Sequence, residues 1–261
     1  MNVPVFEAVS LQRELPFGRT KPCIFICESA DGEDSAEYVV KLKGGIESET
    51  VGLSAELIAS LLADELDIPT PEPALIRVNS AIAEAVHLPD LSAKLRRSIG
   101  LNYGSKVITG GYETWLNGKS IPTGLKDLAT EIFIFDAFIQ NPDRREDKPN
   151  ILAKGNELFI IDHELGFSFM YEVGQNPSPW RVSELSFLKK HLFYNKLKGQ
   201  TLNYDRISGV IESITPDKVQ EIIGSVPEEW RGPMLQKIEN HIGEIVEHVN
   251  EFIDEIRRVL A

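Results

Sequence analysis

The stretch that most constrains this chain runs from residue 125 to residue 164. Leu125, Leu128, Ile132, Phe135, Phe138 and Ile139 recur at helical spacing and predict a buried helix ending near Gln140. Directly behind it comes Asn141-Pro-Asp-Arg-Arg-Glu-Asp-Lys-Pro-Asn150, a charged run punctuated by prolines that cannot continue a helix. Two apolar runs of strand length follow, Ile151-Leu-Ala153 and Leu158-Phe-Ile-Ile161, joined by the turn signal Lys154-Gly-Asn156. The second strand delivers Asp162, with His163-Glu164 after it. Helix, loop and hairpin in immediate succession commit the chain to mixed α and β structure.

An acid in the loop, an amide seven residues on and an acid at the end of the hairpin suit phosphoryl transfer. Asp143 would orient or deprotonate an accepting hydroxyl, while Asn150 and Asp162 would hold the magnesium that bridges nucleotide phosphates. Each residue alone has a structural alternative. Asp and Asn bond nearby backbone, so Asp143 and Asn150 also suit plain turns, and Asp162 suits a cap. The three together, around one hairpin, favour the chemical reading.

The N-terminal half supplies a second group. Residues 5–15 give a weak strand pattern, interrupted by Pro16-Phe-Gly18-Arg19-Thr20-Lys-Pro22. Gly18, Arg19 and Thr20 make a turn whose backbone and cation suit phosphates; a hairpin turn with solvated charges explains it equally well. Strands at 24–27 and 37–42 flank a polar turn and read as a hairpin. Lys41 lies in the second of these, Tyr38-Val-Val-Lys-Leu42. Its ordinary reading is the outer face of an edge strand. After Gly44-Gly45, Leu53, Leu57, Leu61 and Leu62 mark an amphipathic helix, with Glu56 beside the apolar stripe and able to face the sheet. A strand lysine paired with a glutamate of the following helix is how kinases position the α- and β-phosphates of ATP. An exposed helix acid is the alternative for Glu56.

Ile68-Pro-Thr-Pro-Glu-Pro73 stops that helix, and a strand at 74–78, a helix at 89–99 and a strand at 104–111 follow. Val107, Ile108 and Thr109, ahead of Gly110-Gly111, are taken as the hinge whose backbone pairs with an adenine edge. The N-terminal region is thus residues 1–110 and the C-terminal region residues 111–261. Past the hairpin, 170–179 reads as a loop, and helices are expected at 182–197, 205–214, 216–223, 228–238 and 242–260. The last carries Ile242, Ile245, Val249, Phe252, Ile253 and Ile256 on one stripe, the mark of core packing.

Composition excludes some functions. With 27 basic and 40 acidic side chains the net charge is −13, which repels polyphosphate backbones and disfavours general nucleic-acid binding. Lys189, Lys190 and Lys198 read as a solvated helix face. No apolar run reaches the roughly eighteen residues of a membrane span, and the N-terminus lacks the pattern of a signal peptide, so a cytoplasmic location is expected. Cys23 and Cys27 would share one strand face about 13 Å apart, too far for a disulfide; core thiols are expected.

These motifs carry a family resemblance. Gly18-Arg-Thr-Lys-Pro22, Tyr38-Val-Val-Lys41, Glu56-Leu-Ile-Ala, Leu66-Asp-Ile-Pro-Thr-Pro-Glu-Pro73, Gly104-Ser-Lys, Asn141-Pro-Asp-Arg144, Pro149-Asn-Ile-Leu152, Ile161-Asp-His163 and Pro227-Glu-Glu-Trp230 are similar to the HipA-like kinases. The stand-alone bacterial HipA-related kinase domain, itself distantly similar to phosphoinositide kinases, is the nearer likeness. The resemblance implies an α+β, bilobal, protein-kinase-like fold with a β-rich N-lobe and a helical C-lobe. It implies ATP and Mg2+ as cofactors, with Lys41 on the phosphates and Glu56 as its partner. It implies Asp143 as catalytic base, Asn150 and Asp162 as metal ligands, and Arg144 as the loop arginine beside the base. A protein serine or threonine is the acceptor the family suggests; a small-molecule or lipid hydroxyl is the alternative.

The chain also departs from the pattern. Kinase loops place the amide five residues after the aspartate, where Lys148 stands here, with Asn150 two further on. Asp162 precedes His-Glu rather than Phe-Gly, so the switching of that motif does not carry over. The serine-bearing loop that autophosphorylates in HipA toxins has no assigned counterpart. A nucleotide-binding regulatory module without transfer activity is therefore the competing function. Labelled nucleotide separates the two.

Overall fold

The β-branched and aromatic runs of the first hundred residues become five strands that close on themselves. β1 (Val5–Glu14), β2 (Cys23–Ser29) and β3 (Ser35–Lys41) are antiparallel neighbours. β4 (Pro73–Val78) and β5 (Gly100–Lys106) pair antiparallel, β5 also pairs with β3, and β4 closes the ring by running parallel to β1. The result is a closed barrel in which β3 is interior to the sheet, so Lys41 is not on an edge strand. Register irregularities between Ala8 and Ser10 and between Leu11 and Arg13 bend the long first strand, as closure requires. Phe25, Cys27, Val40 and Ile76 fill the interior. Gly104 is needed there: a Cβ on it would stand 2.4 Å from Ile76 Cγ1. Cys23 and Cys27 are buried free thiols whose burial pushes them up to about 11 and about 12, so both stay protonated core residues.

The computed structural model describes residues 3–261 except 17, 19, 49, 117 and 172–177. They divide into two units: Met1–Ser60, Pro71–Thr109 and Ser225–Gly232 form one, and Leu61–Thr70, Gly110–Gly224 and Pro233–Ala261 the other. The first holds the barrel, most of α1 (Thr50–Glu65), and two helices between β4 and β5, α2 (Ser80–Ala85) and α3 (Pro89–Arg97). α1 departs from the amphipathic expectation. Residues 52–63 are buried without interruption, Ser54, Glu56 and Ser60 among them, so Glu56 does not face solvent. The predicted strand at 104–111 begins earlier, at Gly100, and ends at Lys106, where β4, which begins at Pro73 opposite Ser105, offers no further partner.

In the second unit, α4 (Lys126–Phe138) is buried along 129–138. Each of Phe133, Phe135 and Phe138 contributes about 1.5–3 kcal/mol by leaving water. β7 (Ile151–Lys154) and β8 (Glu157–Ile160) form the expected hairpin, extended by a two-residue strand β6 (Glu113–Thr114) on β7. The C-terminal helices differ more. The expected helix at 182–197 is two 3-10 turns, Val182–Glu184 and Ser186–Lys190, and one short helix α5 (Tyr194–Leu197). The backbone there is pulled extended by pairing with the loop after α4: Arg145 bridges His191, and Leu192 N–H donates to Arg144 O at 2.9 Å. α6 (Asp205–Glu212) and α7 (Pro216–Gly224) form where expected. Residues 228–238 are not one helix. Glu228–Trp230 is a 3-10 turn of the first unit, where Glu229 Oε1 accepts from Leu101 N–H at 3.2 Å, and α8 (Met234–Glu247) starts after Pro233. The long last helix is divided at His248 into α8 and α9 (Val249–Leu260), beside the ring of Trp180 at 3.8 Å. Of the loop expected at 170–179, residues 172–177 lie outside the described residues.

One packing contact makes stability pH-dependent. His241 of α8 donates from Nε2 to Phe138 O at 2.7 Å at the end of α4 and stacks on Phe169. Burial lowers its pKa from 6.5 to about 4. The unfolded chain therefore binds the proton more tightly, and the contribution is intact above the unfolded value and lost as pH falls towards 4. We expect stability to decline by about 2 kcal/mol between pH 7 and pH 5 from this residue. Denaturant unfolding checks it: His241→Gln should flatten the slope, and an equally steep decline in that variant would contradict the assignment.

Candidate active site

The loop after α4 is organised by one buried acid. Asp136 and Arg144 are both fully buried. Arg144 Nε donates to Asp136 Oδ2 at 2.5 Å and its Nη2 to Oδ1 at 3.2 Å, a two-pronged pair. The rest of the guanidinium reaches Asn150 O, Ile161 O and His163 Nδ1, so one side chain ties helix, loop and hairpin together. Asn141 Nδ2 donates to Asp136 Oδ1 at 2.9 Å, and Asn141 Oδ1 accepts from Asp143 N–H at 3.1 Å. From the far side, His191 Nε2 meets Asp136 Oδ2 at 2.9 Å while its Nδ1 accepts from Phe193 N–H. The ring is thus neutral with its proton on Nε2, and burial holds its pKa below the ordinary value. Burial alone would raise the Asp136 carboxyl, but Arg144 and His191 outweigh it and hold the acid well below the usual carboxylate range.

Above this support lie the predicted site residues. Asp143, only 8% exposed, accepts from Lys148 Nζ at 2.5 Å and from Asn150 Nδ2 at 3.3 Å through Oδ2. Lys148 also reaches Asp162 Oδ2 at 3.2 Å. Burial opposes the charge on Lys148, but Asp162 and Asp143 prevail and raise its pKa. Asn150 and Asp162 are joined through the backbone, Ile161 N–H to Asn150 O at 3.0 Å. Both have left-handed backbones, with φ of 49° and 60°, as do Gln140 and Phe167 nearby. Asn and Asp tolerate that conformation best, and its clustering here fits a site that holds side chains at set angles. Asp143, Asn150 and Asp162 are therefore brought together, with Lys148 among them.

The Asn150 amide oxygen and the Asp162 carboxylate are hard oxygen donors. That set fits magnesium, which takes one or two protein ligands and completes its shell with water and phosphate oxygens. Among the described residues no group of three or more His, Cys, Asp or Glu stands ready for a metal.

In the first unit, Lys41 and Glu56 form a buried ion pair, 7% and 1% exposed. β3 sets Lys41 opposite Tyr103, whose hydroxyl meets Ser60 Oγ at 2.8 Å on the same helix as Glu56. Gly18 is exposed with φ of 84°, and Thr20 O accepts from Lys94 Nζ at 2.9 Å. Arg19 lies outside the described residues. Val107 N–H donates to Glu37 O at 2.9 Å; Ile108 is half-buried and Thr109 exposed, beyond the end of β5.

The sequence reading passed over Asp136 and His191, and took His163 only as a departure from the pattern after Asp162. Asp136 left a signal, an acid inside the apolar run Ile132-Phe-Ile-Phe-Asp136-Ala-Phe138. A charge in a buried helix needs a partner, and Arg144 lies eight residues further on, in the loop. His191 left none, since it arrives from a segment that reads as a helix.

The family model for HipA-like kinases matches residues 8–258. The fold is similar to the crystal structure of a Helicobacter pylori proinflammatory kinase, CtkA, with a TM-score of 0.54 over 99% of this chain and 100% of that one, at 14% identity. No curated protein matches the chain.

Proposed function

This chain belongs to the HipA-like kinase family, and from that premise we propose that it transfers the γ-phosphoryl group of ATP to a serine or threonine hydroxyl of a protein. The observation that carries the reading is the cluster of Asp143, Lys148, Asn150 and Asp162 around one loop and one hairpin. In this reading the first unit is the nucleotide-binding N-lobe and the second the catalytic C-lobe of a bilobal kinase. Lys41, fixed by Glu56, takes the α- and β-phosphates, and the turn at Gly18, Arg19 and Thr20 lies over them. Backbone groups of Val107, Ile108 and Thr109 meet the adenine.

Asp143 accepts the proton of the attacking hydroxyl and orients its lone pair on the phosphorus. Arg144 and Asp136 keep the loop that carries it in place. Asn150 and Asp162 would hold magnesium, which when bound supplies positive charge to the phosphate oxygens. Among the described residues no helix is long and apolar enough to cross a membrane, and the acidic surface suits a cytoplasmic protein substrate better than an anionic lipid.

One contact favours a second reading. Lys148 engages both Asp143 and Asp162, and a base held by an ammonium suits a regulatory module that binds nucleotide without turning it over. Magnesium-dependent incorporation of γ-labelled phosphate into lysate proteins separates the two. For a kinase, wild type labels and Asp162→Asn loses about a hundredfold or more of the signal. Tight ATP binding with no label in wild type would leave the regulatory module standing.

A further inference from the structure

Lys94 is a buried cation outside the groups described so far. It sits on α3 with its side chain 10% exposed, and its ammonium donates to Glu14 Oε1 at 3.1 Å, Thr20 O at 2.9 Å and Lys21 O. An ammonium has three N–H donors, so all are used, as burial demands. Two of the three acceptors are backbone carbonyls of the turn between β1 and β2. The third is the last residue of β1.

The surrounding chain is cut to admit this side chain. A Cβ on Gly45 would lie 2.6 Å from Lys94 Cε and 3.0 Å from Thr20 O. A Cβ on Gly44 would lie 2.6 Å from Lys94 O and 2.7 Å from Arg97 Cβ. Gly44 N–H donates to Ser98 Oγ at 2.9 Å, and Lys43 N–H to Asn102 Oδ1 at 2.9 Å. The turn that leaves β3 just past Lys41, the helix α3 and the Gly18 turn therefore meet on one lysine.

We infer that Lys94 is a positioning residue for nucleotide binding, which straps the Gly18 turn in its working position against the segment that carries Lys41. This rests on the proposed role of that turn and of Lys41 at the phosphates. Lys94 ties α3 to the end of β1 through Glu14, and it also holds two carbonyls of the turn, whereas the strand pairing beside it, Glu14 with Cys23 and Leu15 N–H with Pro22 O at 2.8 Å, is complete without those two bonds.

Hydrogen exchange and binding of a non-hydrolysable ATP analogue test this on the full chain, with Lys94→Met and, independently, Gly45→Ala, which crowds the same side chain. Both variants should show faster exchange at 15–22 with β2 and β3 still protected. Affinity for the analogue should fall about tenfold, as a competent turn drops to roughly a tenth of the population. Unchanged exchange at the turn, or faster exchange with unchanged affinity, would overturn the inference. Loss of protection across the whole barrel in both variants would also overturn it in favour of an architectural role. If wild type itself binds no ATP, the nucleotide reading fails and the inference with it, a result distinct from a variant that binds as wild type does.

Discussion

Asp143→Asn is expected to lower phosphoryl transfer by about a thousandfold while leaving ATP affinity within a few-fold of wild type. The size follows from the role: positioned general bases contribute roughly a hundred- to ten-thousandfold. The asparagine keeps the shape and one oxygen acceptor, so Asn150 Nδ2 retains a partner, and Asp143 N–H keeps its bond to Asn141. What is lost is the charge that, in the proposed mechanism, accepts a proton. The pair with Lys148 also loses its charge, but Lys148 is 36% exposed and remains beside Asp162 at 3.2 Å, so little stability should go with it. Initial rates with γ-labelled ATP, alongside direct binding of a fluorescent nucleotide, measure the two effects separately. Transfer at the wild-type rate would remove Asp143 from the chemistry.

The second large effect is on stability. Arg144→Met should destabilise the protein by about 3–5 kcal/mol, because it strands the buried Asp136 carboxylate. Methionine fills much of the volume yet satisfies neither Asp136 nor the carbonyls of Asn150 and Ile161. Asn141 and His191 remain on the acid, but both are neutral and each offers it a single hydrogen bond. Removing the acid as well, in Arg144→Met with Asp136→Leu, should recover part of the loss, since much of the cost is the unpaired charge rather than the missing pair. Urea unfolding of the two single variants and the double gives the coupling directly. A loss below about 1 kcal/mol in Arg144→Met would show that the loop does not depend on this network.

Much of this was legible before any coordinate. The helix into the loop, the tight hairpin behind it and the strands around Lys41 each follow from period, length and turn residues within a few positions of one another. So did the burial of Cys23 and Cys27. What failed did so for a common reason. Residues 182–197 have helical spacing, but the backbone at 191–192 is recruited by Arg144 and Arg145, and that pairing outweighs local preference. The stripe through 242–260 is continuous in sequence although the helix is divided at His248, because a small break keeps Ile245, Val249 and Phe252 facing the core. Trp230 was read into the C-terminal helices, yet its segment belongs with the barrel.

The sequence by itself determined the order of elements and the kinds of side chain gathered at the candidate site. These are local properties: a proline ends a helix wherever the rest of the chain goes, and an Asp-to-Asn spacing survives any packing. Tertiary structure decided which groups support them. Asp136 receives His191 from fifty-five residues away, Lys94 reaches back more than seventy to Thr20, and β4 closes the barrel on β1 across a similar span. Such partners are chosen by the packing of whole elements and by the need to satisfy every buried charge and donor, and neither leaves a trace in the residues nearby.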